Sequence, residues 1–391
     1  MQLLGRYRYA VLAMVAVGLL LARRDVIGDW RFFELGAGEL RGPDPLGLYV
    51  RHPEIQVGPP GLLIALVLSH LSAGTLVAKV LGFAAGVGCI RAAELVAADR
   101  RTATDRRVTT DHGLATDHGG AAAPQRTLLS GLLFLPLWAF VVNSGHLDDT
   151  LAILGVIAAM VAITRNRTLA TGVLLGLAVA TKPWAILALP VLLGLPAGRR
   201  LRPVLVAGLA AVLIWAPFVI GAPGTISALG SFRFPLNGSS GPALLLGLHA
   251  GAPYPDWIRP LQFAVGLSAA TLIARRGAWW AVPAVAFGVR LLLDPGTITY
   301  YAGGLGAGGL VVDLVSAGSM PMLSLATAAG IALPTYLQLA LLNLDKVSES
   351  LKFSRRAALL RLATTAAVLA LVALTRSPEP DPTRDQAQLF S

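Results

Sequence analysis

The side chains able to do chemistry in this chain sit in short polar stretches that interrupt long apolar ones. In "VIGDWRFFELGAGEL", residues 26–40, Asp29 lies beside Trp30, Phe32 and Phe33. A carboxylate among aromatics next to lipid is desolvated, which raises its proton affinity and suits it to general-base work. The same residues also make a helix N-cap flanked by interfacial anchors. Asp25 and Glu34 are rival acids; on a helix Glu34 falls about a turn and a half past Asp29, on another face. In "YVRHPEIQVGPPGLL", an extended backbone separates Arg51 from His52, Glu54 and Gln56. Those three form either a hydroxyl-binding set for a sugar or a solvated loop.

"NSGHLDDTLAI" brings His146, Asp148 and Asp149 into one turn before an apolar run. One aspartate caps a helix without further explanation, whereas a histidine and a second acid exceed what a cap needs. Adjacent carboxylates there suit a cation or sugar hydroxyls. "ATKPWAILALP" places Lys182 in an apolar hairpin, where a charge is costly and functional by default, or snorkels to water. "GVRLLLDPGTITYY" adds Arg290, Asp294, Tyr300 and Tyr301. Cations on this face suit a lipid phosphate, Lys as a point charge and Arg as a planar fork.

The elements that must position these residues follow from composition. Of 391 residues, 55% are hydrophobic and 14% charged, against about 25% charged in a soluble domain. Apolar runs approach the roughly 20 residues that span a bilayer, so the chain reads as an all-α polytopic membrane protein. The net charge of +11 is carried by arginines between alternate apolar segments, as a positive-inside topology requires, and does not imply nucleic acid. The single cysteine, Cys89, excludes an intrachain disulfide or a thiolate metal cluster.

We therefore expect a single integral membrane domain of about 10–12 spans over residues 1–391. Its first extracytoplasmic loop covers 25–74, with an interfacial helix from Pro59 to Ser72. A flexible basic cytoplasmic loop is expected at 99–127, containing "TDHGLATDHGG", a long outer loop at 221–260, and a polar tail at 376–391. Pro321–Leu342 and Ala357–Leu374 read as two final spans, with Lys346 and Lys352 between them. Polar and aromatic patches gather on one face, and arginine-studded turns on the other.

No P-loop, strand-linked G-x-G-x-x-G or H-E-x-x-H occurs, and no soluble nucleotide-binding domain fits between the spans. A transferred sugar or phosphoryl group would reach the site attached to lipid. An Asp soon after the first span, an aromatic-rich loop ending in Pro59-Pro60, a Gly-His exit before the fourth span and "GVLLGLAVATKPWAILALPVLL" together resemble the GT-C glycosyltransferases. Within these, residues 10–315 resemble the polyprenyl-phosphate-mannose-dependent mannosyltransferases of actinobacterial envelopes (glycosyltransferase family 87).

That resemblance implies a GT-C-type bundle in a bacterial cell membrane. It also implies inverting transfer, outside the membrane, from a polyprenyl-phosphate sugar (mannose) to a glycolipid or glycan hydroxyl. Asp29 maps onto the family's base. Lys182, Arg290 and His52 are then candidates for the donor phosphate. Trp30, Glu54, Gln56, His146, Asp148, Asp149, Tyr300 and Tyr301 are candidates for sugar or acceptor. "GHLDD" departs from the family's usual Gly-Gln and leaves the sugar open. No cofactor is implied with certainty, and a divalent cation is left open without being indicated. The competing expectation is a transporter or flippase without covalent chemistry, against which stands the lack of an evident internal repeat.

Overall fold

The computed structural model describes residues 6–22, 29–112, 122–296, 299–316, 320–343 and 347–374. Asp25, Lys346, the end of "TDHGLATDHGG" and the 376–391 tail lie outside them. The described residues are mostly helical and form no β-strand, with one isolated β-bridge between Pro235 and Pro253. Among the described residues, five helices are long and apolar enough to cross a membrane, and six shorter apolar helices accompany them. The chain is an all-α, multi-pass membrane protein.

α1 (Arg8–Ala22) is followed by three short helices, α2 (Trp30–Arg41), α3 (Leu48–Arg51) and α4 (Pro59–Leu68). Pro59 and Pro60 open α4, where their missing N–H groups cost nothing. At ten residues α4 rises about 15 Å, half a hydrocarbon core.

α5 (Gly74–His112), α6 (Ala122–Asn143), α7 (Leu147–Thr164) and α8 (Thr168–Thr181) come next. α5 runs 39 residues and takes in 99–112 of the basic segment expected to be a loop, and α6 takes in 122–127. No Gly or Pro interrupts it from Cys89 to His112, and Ala, Arg, Glu and Leu are good helix formers. Pro183–Gly194 is a 3-10 run, with Pro190 inside it withholding a backbone donor.

α9 (Leu201–Gly221) precedes α10 (Thr225–Ser231) and α11 (Gly241–Leu246), both within the long 221–260 connection. α12 (Ile258–Arg275), α13 (Val282–Leu293) and α14 (Ala302–Val315) complete the central bundle. The single span expected over 321–342 is broken into α15 (Met322–Thr327), a π-turn at Ala328–Ala332 and α16 (Leu333–Asn343). Pro334 lacks the N–H that would bond the Gly330 carbonyl, which accounts for the irregular turn beside it. α17 (Val347–Leu374) starts ten residues before the expected span.

The main core is formed where α5, α6, α7, α13 and α14 pack together, around Trp138, Phe134, Ile90 and Phe287. A second core under the first loop joins Trp30, Phe33, Tyr49, Ile55 and Leu62 to Leu147 and Phe218. α9 packs on α8 with one face and leaves Leu205, Leu209, Val212, Leu213 and Ile220 exposed.

Candidate active site

The ends of α6, α8 and α13 and the starts of α7 and α14 meet at one end of the bundle, and α2 begins beside them. Gly145 makes the turn from α6 into α7 at φ +88°, a left-handed conformation that disfavours a side chain. The first loop is fixed to α8 at Gly58, whose N–H donates to the Thr181 carbonyl at 3.1 Å. A Cβ on Gly58 would collide with the Ala180 carbonyl oxygen, so only glycine permits this approach. Tyr49 braces the loop further, its hydroxyl donating to the Val57 carbonyl at 2.8 Å and its ring packing on Trp215 and Phe218 of α9.

These constraints assemble a continuous polar array. Asp29 precedes α2 but does not cap it through its side chain. Its Oδ2 instead accepts from Nε2 of buried His146 at 2.8 Å. Nδ1 of His146 lies 3.2 Å from Asp149 Oδ2 and 3.8 Å from Asp148 Oδ1. Lys182 Nζ is 2.6 Å from Asp148 Oδ2 and 3.8 Å from Asp149 Oδ2, and donates to the Gln56 carbonyl at 3.3 Å. Trp184 Nε1 donates to Asp149 Oδ1 at 2.9 Å. Both aspartates are fully or nearly fully buried, a state sustained only by such partners.

Tyr300 stacks on the His146 ring with centroids 3.6 Å apart. The Arg290 guanidinium is sandwiched between Trp184 and Tyr301, at 4.5 and 4.3 Å from their centroids, and acts electrostatically on Asp149. Behind it Arg259 pairs with Asp294 at 3.1 Å, while Gln262 donates to the Arg290 carbonyl at 2.7 Å.

The hydrogen bond from His146 holds the Asp29 carboxyl below its ordinary range, against the opposing effect of partial burial. Burial alone would depress His146, yet Asp149, Asp29 and Asp148 outweigh it and raise the imidazole above its ordinary value. Asp29 is therefore held ionised, oriented, and still about one-third exposed at its side chain. It can take up a proton from a substrate hydroxyl. His146, Asp148 and Asp149 each offer one ligand atom, all within 4.8 Å of one another, which would fit a metal ion. The ammonium of Lys182 already neutralises the same two carboxylates.

Of the residues singled out in the sequence, Asp29, His146, Asp148, Asp149, Lys182, Arg290, Tyr300 and Tyr301 come together, and Gln56 joins by its backbone carbonyl. Trp30 is buried and stacked on Phe33 at 4.9 Å. His52 and Glu54 make their contacts elsewhere: His52 faces Glu39 at 3.4 Å and Glu54 at 3.1 Å, beside the Arg51–Glu39 and Arg51–Asp44 pairs. The Gln56 side chain turns to the Pro53 carbonyl. The structural roles of Trp184 and Arg259 were not foreseen. "KPW" carried a signal for Trp184, and "WIRP", in a long connection, carried little for Arg259.

Fold and site together define a multi-pass helical membrane protein with a buried carboxylate–histidine–lysine array at one end. Among solved structures, the crystal structures of ArnT from Cupriavidus metallidurans, bound to undecaprenyl phosphate and in the apo state, are similar to this chain. They are 17% identical over 93% of this chain and 77% of theirs, with TM-scores of 0.45 and 0.46. No family model and no curated protein matches the chain.

Proposed function

We propose that the protein is an inverting glycosyltransferase of the GT-C type. It moves a sugar, mannose in our reading, from a polyprenyl-phosphate donor to a hydroxyl of a glycolipid or glycan outside the membrane. The observation that carries this reading is an ionised, half-buried Asp29 aligned by His146, one residue away from the Lys182–Asp148–Asp149 cluster and the Arg290 guanidinium.

In this reaction the acceptor oxygen attacks the anomeric carbon as the bond from that carbon to the donor phosphate oxygen breaks. Asp29 takes the hydroxyl proton, and the bonding pair leaves with the polyprenyl phosphate. Phosphate needs little acid assistance but gains from positive charge at the departing oxygen, which supports Lys182 and Arg290 for that role. The aromatic walls Trp184, Tyr300 and Tyr301 limit water and leave those charges poorly screened.

The test is transfer of label from undecaprenyl-phosphate-[14C]mannose by purified protein. Wild type should form labelled glycoside, and Asp29→Asn should lose at least about 100-fold of that rate while remaining monodisperse. Full turnover by Asp29→Asn would remove the base assignment. Movement of an intact labelled lipid across vesicles without transfer would favour the flippase reading.

A further inference from the structure

A cavity of about 330 Å3 opens between α2 and the turn joining α4 to α5. Its size is at the low end of small-molecule pockets, about 300–1,000 Å3. Trp30, Glu34, Arg41, Ser69, Ser72 and Thr75 are among its lining. These are hydroxyls, one carboxylate and one guanidinium, and Arg41 is already engaged, donating to Ser69 Oγ at 2.7 Å. Trp30 also lines a smaller cavity that reaches Lys79 and Gly145, one residue from His146.

Trp30, which lines the cleft, directly follows Asp29 in the chain, and Asp29 is joined through His146 to the Lys182–Asp148–Asp149 cluster. Displacement with inversion places the incoming hydroxyl and the departing phosphate on opposite faces of the anomeric carbon. With the phosphate held at Lys182 and Arg290, the acceptor is left to approach Asp29 from the side of Trp30 and its cleft. The polar lining favours a neutral polyol: Glu34 and Arg41 carry opposite charges, and the remaining polar groups are hydroxyls and the Trp30 indole. Next to the cleft, α4 and α5 present exposed Leu63, Val67, Leu71 and Leu76, a strip suited to an aliphatic tail.

We infer that this cleft binds the saccharide head of a lipid-anchored acceptor, its chain running along the Leu63–Leu76 strip. The acceptor role rests on the transferase reading, but the binding does not. The probe is octyl α-D-mannopyranoside, added to the full chain in phospholipid nanodiscs and followed by saturation-transfer NMR. Ser72 lies in an exposed turn, so Ser72→Trp fills the cleft without entering the core.

Wild type should bind the glycoside, Ser72→Trp should weaken it at least tenfold, and binding of undecaprenyl phosphate should be retained in the variant. Free mannose should bind at least tenfold more weakly than the octyl glycoside. Absence of glycoside binding in wild type, equal binding by Ser72→Trp, or loss of undecaprenyl phosphate instead would each overturn the assignment. If the glycoside binds as described and no sugar is transferred to it, the transferase reading fails while the binding site stands.

Discussion

At the scale of single residues, the proposed chemistry depends on the proton inventory around His146. Asp29, Asp148, Asp149 and Lys182 are its charged neighbours, with Tyr300 on its face. Asp29 is depressed, so its contribution is present above the ordinary carboxylate value and lost as pH falls through the lower folded value. His146 is raised, so its contribution is complete below the ordinary imidazole value of 6.5 and lost as pH rises through the higher folded value. The pair therefore persists between the lowered Asp29 and the raised His146 titrations. Activity should decline on the alkaline side as His146 loses its proton and releases Asp29. His146→Gln should abolish that alkaline limb and move the acid limb upward, because Asp29 regains an ordinary affinity for protons. A pH–rate profile unchanged in His146→Gln would show that the imidazole does not govern the base.

At the scale of elements, much was legible and the failures have physical causes. The apolar run from Pro59 marked the start of α4 and overran its end at Leu68 by four residues, because lipid forces backbone bonding within such a segment. The continuation of α5 past residue 99 was missed because charge was read as loop, although the segment carries no Gly or Pro before His112. Asp29, Lys182 and Arg290 could be selected by type, but their meeting depends on contacts between distant elements. The key contact, Gly58 against Ala180 and Thr181, leaves no one-residue signature.

Gly58→Ala should push the first loop from α8, lowering both melting temperature and transfer. Gly38→Ala, whose added methyl meets nothing within 4 Å, should be neutral or gain up to about 1 kcal/mol. Equal melting temperatures for the two variants would contradict the tie. Lys182→Met should cost about 3–5 kcal/mol by stranding Asp148, and adding Asp148→Asn should restore part of that loss in chemical denaturation. An unimproved double variant would mean that the pair is not coupled.

At the scale of the whole molecule, α9 decides which solvent surrounds the bundle. It is the most peripheral of the five long apolar helices, and its outward face carries Leu205, Leu209, Val212 and Leu213, all about 60% exposed. In water that stripe would exceed the isolated apolar patches of soluble monomers. Against acyl chains it costs nothing, and α9 is placed by its packing on α8 and on Tyr49 of the first loop. Leu209 lies near the middle of the helix, where replacing leucine by aspartate costs roughly 3–4 kcal/mol of insertion free energy. Leu209→Asp should therefore reduce the carbonate-resistant, membrane-inserted fraction several-fold, whereas Leu209→Ala should insert like wild type. Recovery of Leu209→Asp as soluble, folded protein would mean that the stripe faces water or a partner rather than lipid. Loss with both variants would mean that Leu209 packs against another helix, and that α9 belongs inside a larger assembly.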